Sequence, residues 1–222
     1  MKFEVHFLFP RIFEKIFYMA TPLIRLFRLY LVRVSVIFWT LVTGPSYAWV
    51  LTVTPGTHAI FLQVGNGANN ANFGTVNLVS VVVPAAAVGN GVAQAMTTNS
   101  TQANSFYDGF VTCNPPAQMY VGGYFRQPST TASTATVQIT SPISLTSGTD
   151  IIPFNRISWT STANGNTTAD IPAGTFVGGT QFLVNIGSNT WLENCHIFSY
   201  ANSAVVPAGT FTGRVVYTMT AP

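Results

Sequence analysis

From Trp49 to the end of the chain, apolar side chains recur at every second position, and that period decides what the chain can fold into. In "TATVQI", Ala135, Val137 and Ile139 fall on one side and Thr134, Thr136 and Gln138 on the other; in "ISW", Ile157 and Trp159 flank Ser158. Successive side chains of an extended backbone point to opposite faces, so such segments read as half-buried strands. They are rich in the valine, threonine and aromatic residues that suit a pleated surface. Between them stand turn-rich stretches, "GNGANNANFG", "VGNG", "CNPPAQ" and "TANGNTT". No run of ten residues after Trp49 combines a helical period with caps. "VVVPAAAVGNGVAQAM" is ambiguous, because its alanines favour helix while Pro84 and the glycines break it. Short strands between frequent turns predict an all-β, antiparallel sandwich or barrel, and no boundary divides residues 49–222 into two domains.

One phrase is written twice. "PAGTF" stands at residues 172–176 and 207–211, and each copy leads into an alternating run. Proline fixes φ and glycine supplies the freedom to turn, so the phrase reads as a strand-launching turn. After the second copy Phe211, Val215, Tyr217 and Met219 share one face with Gly213, and Thr210, Thr212, Arg214, Thr218 and Thr220 share the other. After the first, Phe176, Phe182, Val184 and Ile186 are expected on one face, with Gln181 and Asn185 opposite. Two copies are too few for a repeat architecture.

Charge narrows the function classes. The 222 residues are 48% hydrophobic and only 7% charged, with a formal net charge of +3. Six of the nine basic residues precede Trp49. The remainder holds Arg126, Arg156 and Arg214 against Asp108, Asp150, Asp170 and Glu193, a net charge of −1 with no lysine. A chain with no basic patch is not built to bind nucleic acid. The early bases belong instead to "RLFRLYLVRVSVIFWTLVTGPSYA", where an arginine-bearing stretch precedes the apolar Val34–Val42, then Gly44-Pro45 and the small-residue ending Ser46-Tyr47-Ala48. That is the order of a secretory signal, and the apolar run after Arg33 is short for a membrane span. The expected organisation is a leader over 1–48, its signal peptide at 19–48 and 1–18 an upstream extension, followed by one secreted domain over 49–222.

Export gives Cys113 and Cys195, the only cysteines, an oxidising compartment in which to form a disulfide. A nucleophilic Cys195 served by His196 is disfavoured, because neighbours in a strand point to opposite faces. The chain has no G-x-S-x-G elbow, phosphate-binding loop, H-E-x-x-H or second cysteine pair. His58 and His196 are unlinked histidines, and "GNGANNANFG" offers no carboxylate to calcium. No metal, cofactor or catalytic residue is expected, although Asp108, Asp150, Asp170 and Glu193 are the carboxylates a glycosidase would draw on. Asn99 and Asn166 begin Asn-x-Ser/Thr triplets of the kind found in exposed loops. Phe106, Tyr107, Phe110, Tyr120, Tyr124 and Phe125 are either core or the lining of a sugar-binding face.

The closing "VPAGTFTGRVVYTMT" resembles the terminal segment of secreted fimbrial subunits of the spore-coat-U/Csu type, with Pro207, Gly209, Phe211, Val215 and Tyr217 at the matching positions. The resemblance implies an immunoglobulin-like β-sandwich that lacks one strand and is completed by a donor strand from a neighbouring subunit. It further implies a structural or tip subunit of a bacterial surface fibre, not an enzyme. Its partners would be other subunits, a periplasmic chaperone and an outer-membrane usher; it would pass through the periplasm to the cell surface. The donor candidate is "WVLTVT", in which Trp49, Leu51 and Val53 form one apolar face before the break at Pro55-Gly56. The competing readings are an ordinary first strand for this segment, and for the whole chain a secreted carbohydrate-binding β-sandwich protein.

Overall fold

The structure, a computed structural model, describes residues 51–68, 76–128, 132–164 and 168–222. The leader, Trp49 and Asn166 lie outside the described residues. Along the chain the strands are β1 (Leu51–Thr52), β2 (Ala59–Val64), β3 (Gly67–Ala68), β4 (Val79–Ser80), β5 (Gln94–Ala95), β6 (Thr97–Thr98) and β7 (Met119–Arg126). They continue as β8 (Thr134–Ser141), β9 (Ser144–Ser147), β10 (Asp150–Pro153), β11 (Ile157–Ser161), β12 (Gly174–Thr175), β13 (Gly179–Gly187), β14 (Thr190–Tyr200) and β15 (Val216–Thr220). The ambiguous alanine stretch resolves into a single 3-10 turn, Ala85–Ala87, directly after Pro84.

Every strand ladder among the described residues is antiparallel. The larger sheet runs β12-β11-β14-β7-β2-β3, and the smaller runs β13-β8-β15. β14 organises the larger one. On one edge it bonds β7 and, near its end, β5; on the other it bonds β1 at Thr190 and Trp191 and β11 from His196 to Tyr200. The two sheets share a core. Ala135, Val137, Ile139, Leu183, Ile186 and Met219 come from the smaller sheet; Leu62, Val121, Phe125, Ile157, Trp159, Phe198 and Tyr200 come from the larger.

Strands β8 and β11 bury the residues that their alternation singles out. β13 does not. Its register against β8 shifts between Phe182 and Val184, so Leu183 turns inward and Phe182 is left 60% exposed. The expected shared face of Phe182, Val184 and Ile186 is therefore broken: a bulge adds one residue to one strand and reverses the alternation beyond it. The final strand is also shorter than its pattern. β15 begins only at Val216, and the preceding segment is bridged once, Thr212 to Thr146 of β9, a strand that pairs with β10 outside the two main sheets. Tyr217 and Met219 face inward opposite Ile139 and Val137, while Phe211 and Val215 pack against the core from outside the ladder.

The outward face of the larger sheet is also buried. Phe61, Tyr120, Trp191 and Cys195 form a second apolar cluster there, roofed by the segment 99–118 between β6 and β7. The disulfide Cys113–Cys195 fastens that roof to β14.

Candidate functional site

The roofed face is built by rows across the sheet. Register places Phe61 of β2, Tyr124 of β7, Trp191 of β14 and Leu51 of β1 side by side. The next row holds Gln63, Gly122 and Glu193. Gly122 is required by its neighbour: a Cβ there would run into the Tyr120 hydroxyl, which crosses this row to donate to Glu193 Oε2 at 2.6 Å. The same carboxylate oxygen accepts from Trp191 Nε1 at 2.9 Å and from Ser105 Oγ, in the roof, at 2.8 Å. Charge-assisted hydrogen bonds of this kind are worth more than neutral ones, so Glu193 works as a pin between sheet and roof. Burial, and after it the Glu193 carboxylate, push the Tyr120 phenol well above its ordinary range.

The roof itself is tightly tied. Ser105 N–H donates to the Phe110 carbonyl and Gly109 N–H to that of Ser105; Phe110 N–H donates to Asp108 Oδ1. Tyr107 donates its hydroxyl to the Thr52 carbonyl of β1 at 3.1 Å. Phe106 stacks on Phe61 with centroids 4.5 Å apart, and Tyr107 tilts over Trp191 at 5.5 Å. Of the aromatics noted in the sequence, Phe125 is core and Tyr120 lies under the roof, whereas Phe106, Tyr107 and Phe110 remain 56%, 42% and 74% exposed.

A second feature lies where the two sheets meet. β2 bonds β7 along its length and β3 only at Gln63 and Val64, and β15 bonds only β8. Among the described residues, the outer edges of Ala59–Leu62 and Val216–Thr220 carry no ladder. β15 runs beside β2 with Cα atoms inside 8 Å, closer than the ~10 Å of stacked sheets. Ile60 of β2, Tyr217 of β15 and Ala221 just beyond it are half-buried against the core. Burial raises the Tyr217 phenol, and its hydroxyl has no partner among the described residues.

The donor candidates Leu51 and Val53 sit in the chain's own larger sheet. They pack against the second cluster, and Val53 N–H donates to the Asn189 carbonyl at 2.8 Å. Cys195 and His196 point to opposite faces. His196 is fully buried on the inner side against Trp159, directly across the ladder from Ser161. Burial lowers its pKa to about 3, so it is a neutral core residue and not a base. Asp108, Asp150 and Asp170 are exposed, and Glu193 is committed to three donors. No group of three His, Cys, Asp or Glu side chains among the described residues is placed to hold a metal ion.

Sequence reasoning missed Glu193 as a pin and also Asn202, which holds the 85–91 loop. Asn202 accepts from Gly89 N–H and donates to the Ala87 carbonyl. Both join segments about ninety or more positions apart, a separation that leaves no local pattern. Comparison with protein-family models, curated proteins and solved structures returns no match for this chain.

Proposed function

We propose that the chain is an exported structural subunit of a surface fibre, assembled by strand exchange between copies or related subunits. The observation that carries this reading is the seam between β2 and β15, where two unladdered edges lie side by side and apolar residues of both strands are half-buried. Exposed edges recruit other strands, and a donated strand converts that hazard into assembly. Seating one requires two strand spacings, about 9.6 Å, so β2 and β15 must part slightly. The donor is β1 with its flanks. Its ladder to its own sheet is only two residues long, Leu51 to Trp191 and Thr52 to Thr190, extended by the Val53 N–H to Asn189 carbonyl bond, and Pro55-Gly56 ends it. The near-neutral charge of residues 49–222 favours association. On this reading the sandwich is immunoglobulin-like with one strand missing, and a periplasmic chaperone and an outer-membrane usher handle it on the way out.

The test is chromatography and electron microscopy of the mature chain and of a form lacking residues 49–54. Filaments from the first and soluble, chaperone-dependent subunits from the second are expected. A stable monomer that merely unfolds on the deletion would place β1 permanently in its own sheet and end the proposal.

A further inference from the structure

We infer that the turn Ser105–Phe110 is a binding site for a neutral polysaccharide, with Phe106 as its stacking platform and Asp108 as its polar contact. Three neighbouring aromatic side chains stand open to solvent on a segment that is not free to fold them away. The Cys113–Cys195 bond and the Ser105–Glu193 bond fix it to the sheet, and the backbone bonds within the turn fix its shape. Phe106 has one ring face on Phe61 and is still 56% exposed; Phe110 is 74% exposed. Holding apolar rings in water on a rigid support is what a pre-organised recognition surface looks like, since little side-chain entropy remains to be lost on binding.

The chemistry of the neighbours selects the ligand. A sugar ring presents an apolar C–H face bordered by hydroxyls, and the turn offers a ring face beside an exposed carboxylate. Asp108 uses Oδ1 for the Phe110 N–H, leaving Oδ2 to accept a hydroxyl. Asn104 and Gln102 extend the polar margin. A bilayer fits poorly, because Asp108 lies between Tyr107 and Phe110 and would enter the interface with them. Anionic ligands fit poorly as well: the cation at this end, Arg126, lies 6.0 Å from the Tyr124 ring and donates to the Thr57 carbonyl, whereas the turn itself carries negative charge. The inference stands whether or not the subunit assembles by strand exchange.

The experiment is retention of the full chain on cellulose, chitin and starch, beside vesicles of phosphatidylcholine with phosphatidylglycerol and beside polystyrene beads. Saturable retention on at least one polysaccharide is expected, released by its soluble oligosaccharide and reduced at least tenfold in Phe106→Ala and in Phe110→Ser. Phe182→Ser, which removes an exposed ring elsewhere, leaves it unchanged. Should Phe106→Ala lose its unfolding transition, Phe110→Ser decides alone, because that ring is mostly in solvent. Absence of retention, retention indifferent to both variants, or equal binding to vesicles or polystyrene would each overturn the inference.

Discussion

The two outward faces of this sandwich are both β-sheet surfaces, yet they meet solvent in opposite ways. The larger sheet turns out Phe61, Tyr124, Trp191 and Tyr120 and hides much of them under a disulfide-fastened roof. The smaller sheet turns out Thr134, Thr136, Gln138, Thr140, Thr218 and Thr220 and is left open, its hydroxyls engaged across strands in pairs such as Thr136 with Asn185 at 3.0 Å and Thr140 with Thr180 at 2.9 Å. A face made mostly of hydroxyls and amides, with Phe182 and Val216 the exposed apolar exceptions, is already solvated. A face of rings needs a cover, and a long loop needs a covalent tie to serve as one. The roof is therefore part of the fold's stability, and the threonine face is not.

The largest effect should come from the roofed face. Trp191→Ala removes the ring against which Phe61, Phe106, Tyr107 and Tyr124 all pack, and a loss of about 3–5 kcal/mol in urea unfolding is expected. Replacing Cys113 and Cys195 together by alanine should cost about 2–5 kcal/mol and expose segment 99–118 to proteolysis before the rest of the chain. If cleavage there is no faster than elsewhere, the roof is held by packing alone and the contrast between the faces weakens.

Acid probes the layer between the faces. His196 carries a folded-state pKa of about 3 against an ordinary value near 6.5. Between those limits the unfolded chain binds a proton that the folded chain refuses. Stability is then full above about pH 6.5 and falls by up to about 1.4 kcal/mol per pH unit as pH drops toward 3. Protection factors for hydrogen exchange in β8 and β14 should fall together over this window, and His196→Leu should flatten that fall. Gly122→Ala tests a finer point: by displacing the Tyr120 hydroxyl from Glu193 it should destabilise by about 1–3 kcal/mol, visible as a loss of near-ultraviolet tyrosine signal. At the small end, Thr136→Ala and Thr218→Ala should stay within about 0.5 kcal/mol of the parent, and a larger loss would show that the open face is structural after all.

The same contrast explains what could be read in advance. β8 and β11 have one face in the core and one less buried, so alternation names their buried residues correctly. The disulfide followed from there being only two cysteines. In β2, β7 and β14 both faces are largely buried, so no clean alternation of apolar and polar residues tells one face from the other. Whether Phe61 or Trp191 is covered depends on a loop tens of residues away, which no local period encodes. The bulge at Phe182 is invisible for a different reason, since one extra residue in β13 leaves no mark in composition. Of the candidate site, the exposed aromatics were legible as a cluster. Their division into platform, roof support and core was not, because it turns on which side of β7 Tyr120, Tyr124 and Phe125 leave and on where the segment 99–118 lays Phe106, Tyr107 and Phe110.

β14 serves both sides of the larger sheet with consecutive residues: Trp191, Glu193 and Cys195 go to the roofed cluster, while Leu192, Asn194, His196, Phe198 and Tyr200 go inward. For the gene that encodes it, this is a stretch without slack. A single inserted or deleted codon between Thr190 and Cys195 would exchange the two sets over part of the strand, moving the disulfide sulfur into the core or His196 under the roof. Loops elsewhere in the chain can lengthen at little cost; the codons from Thr190 to Cys195 bear substitution far better than insertion or deletion.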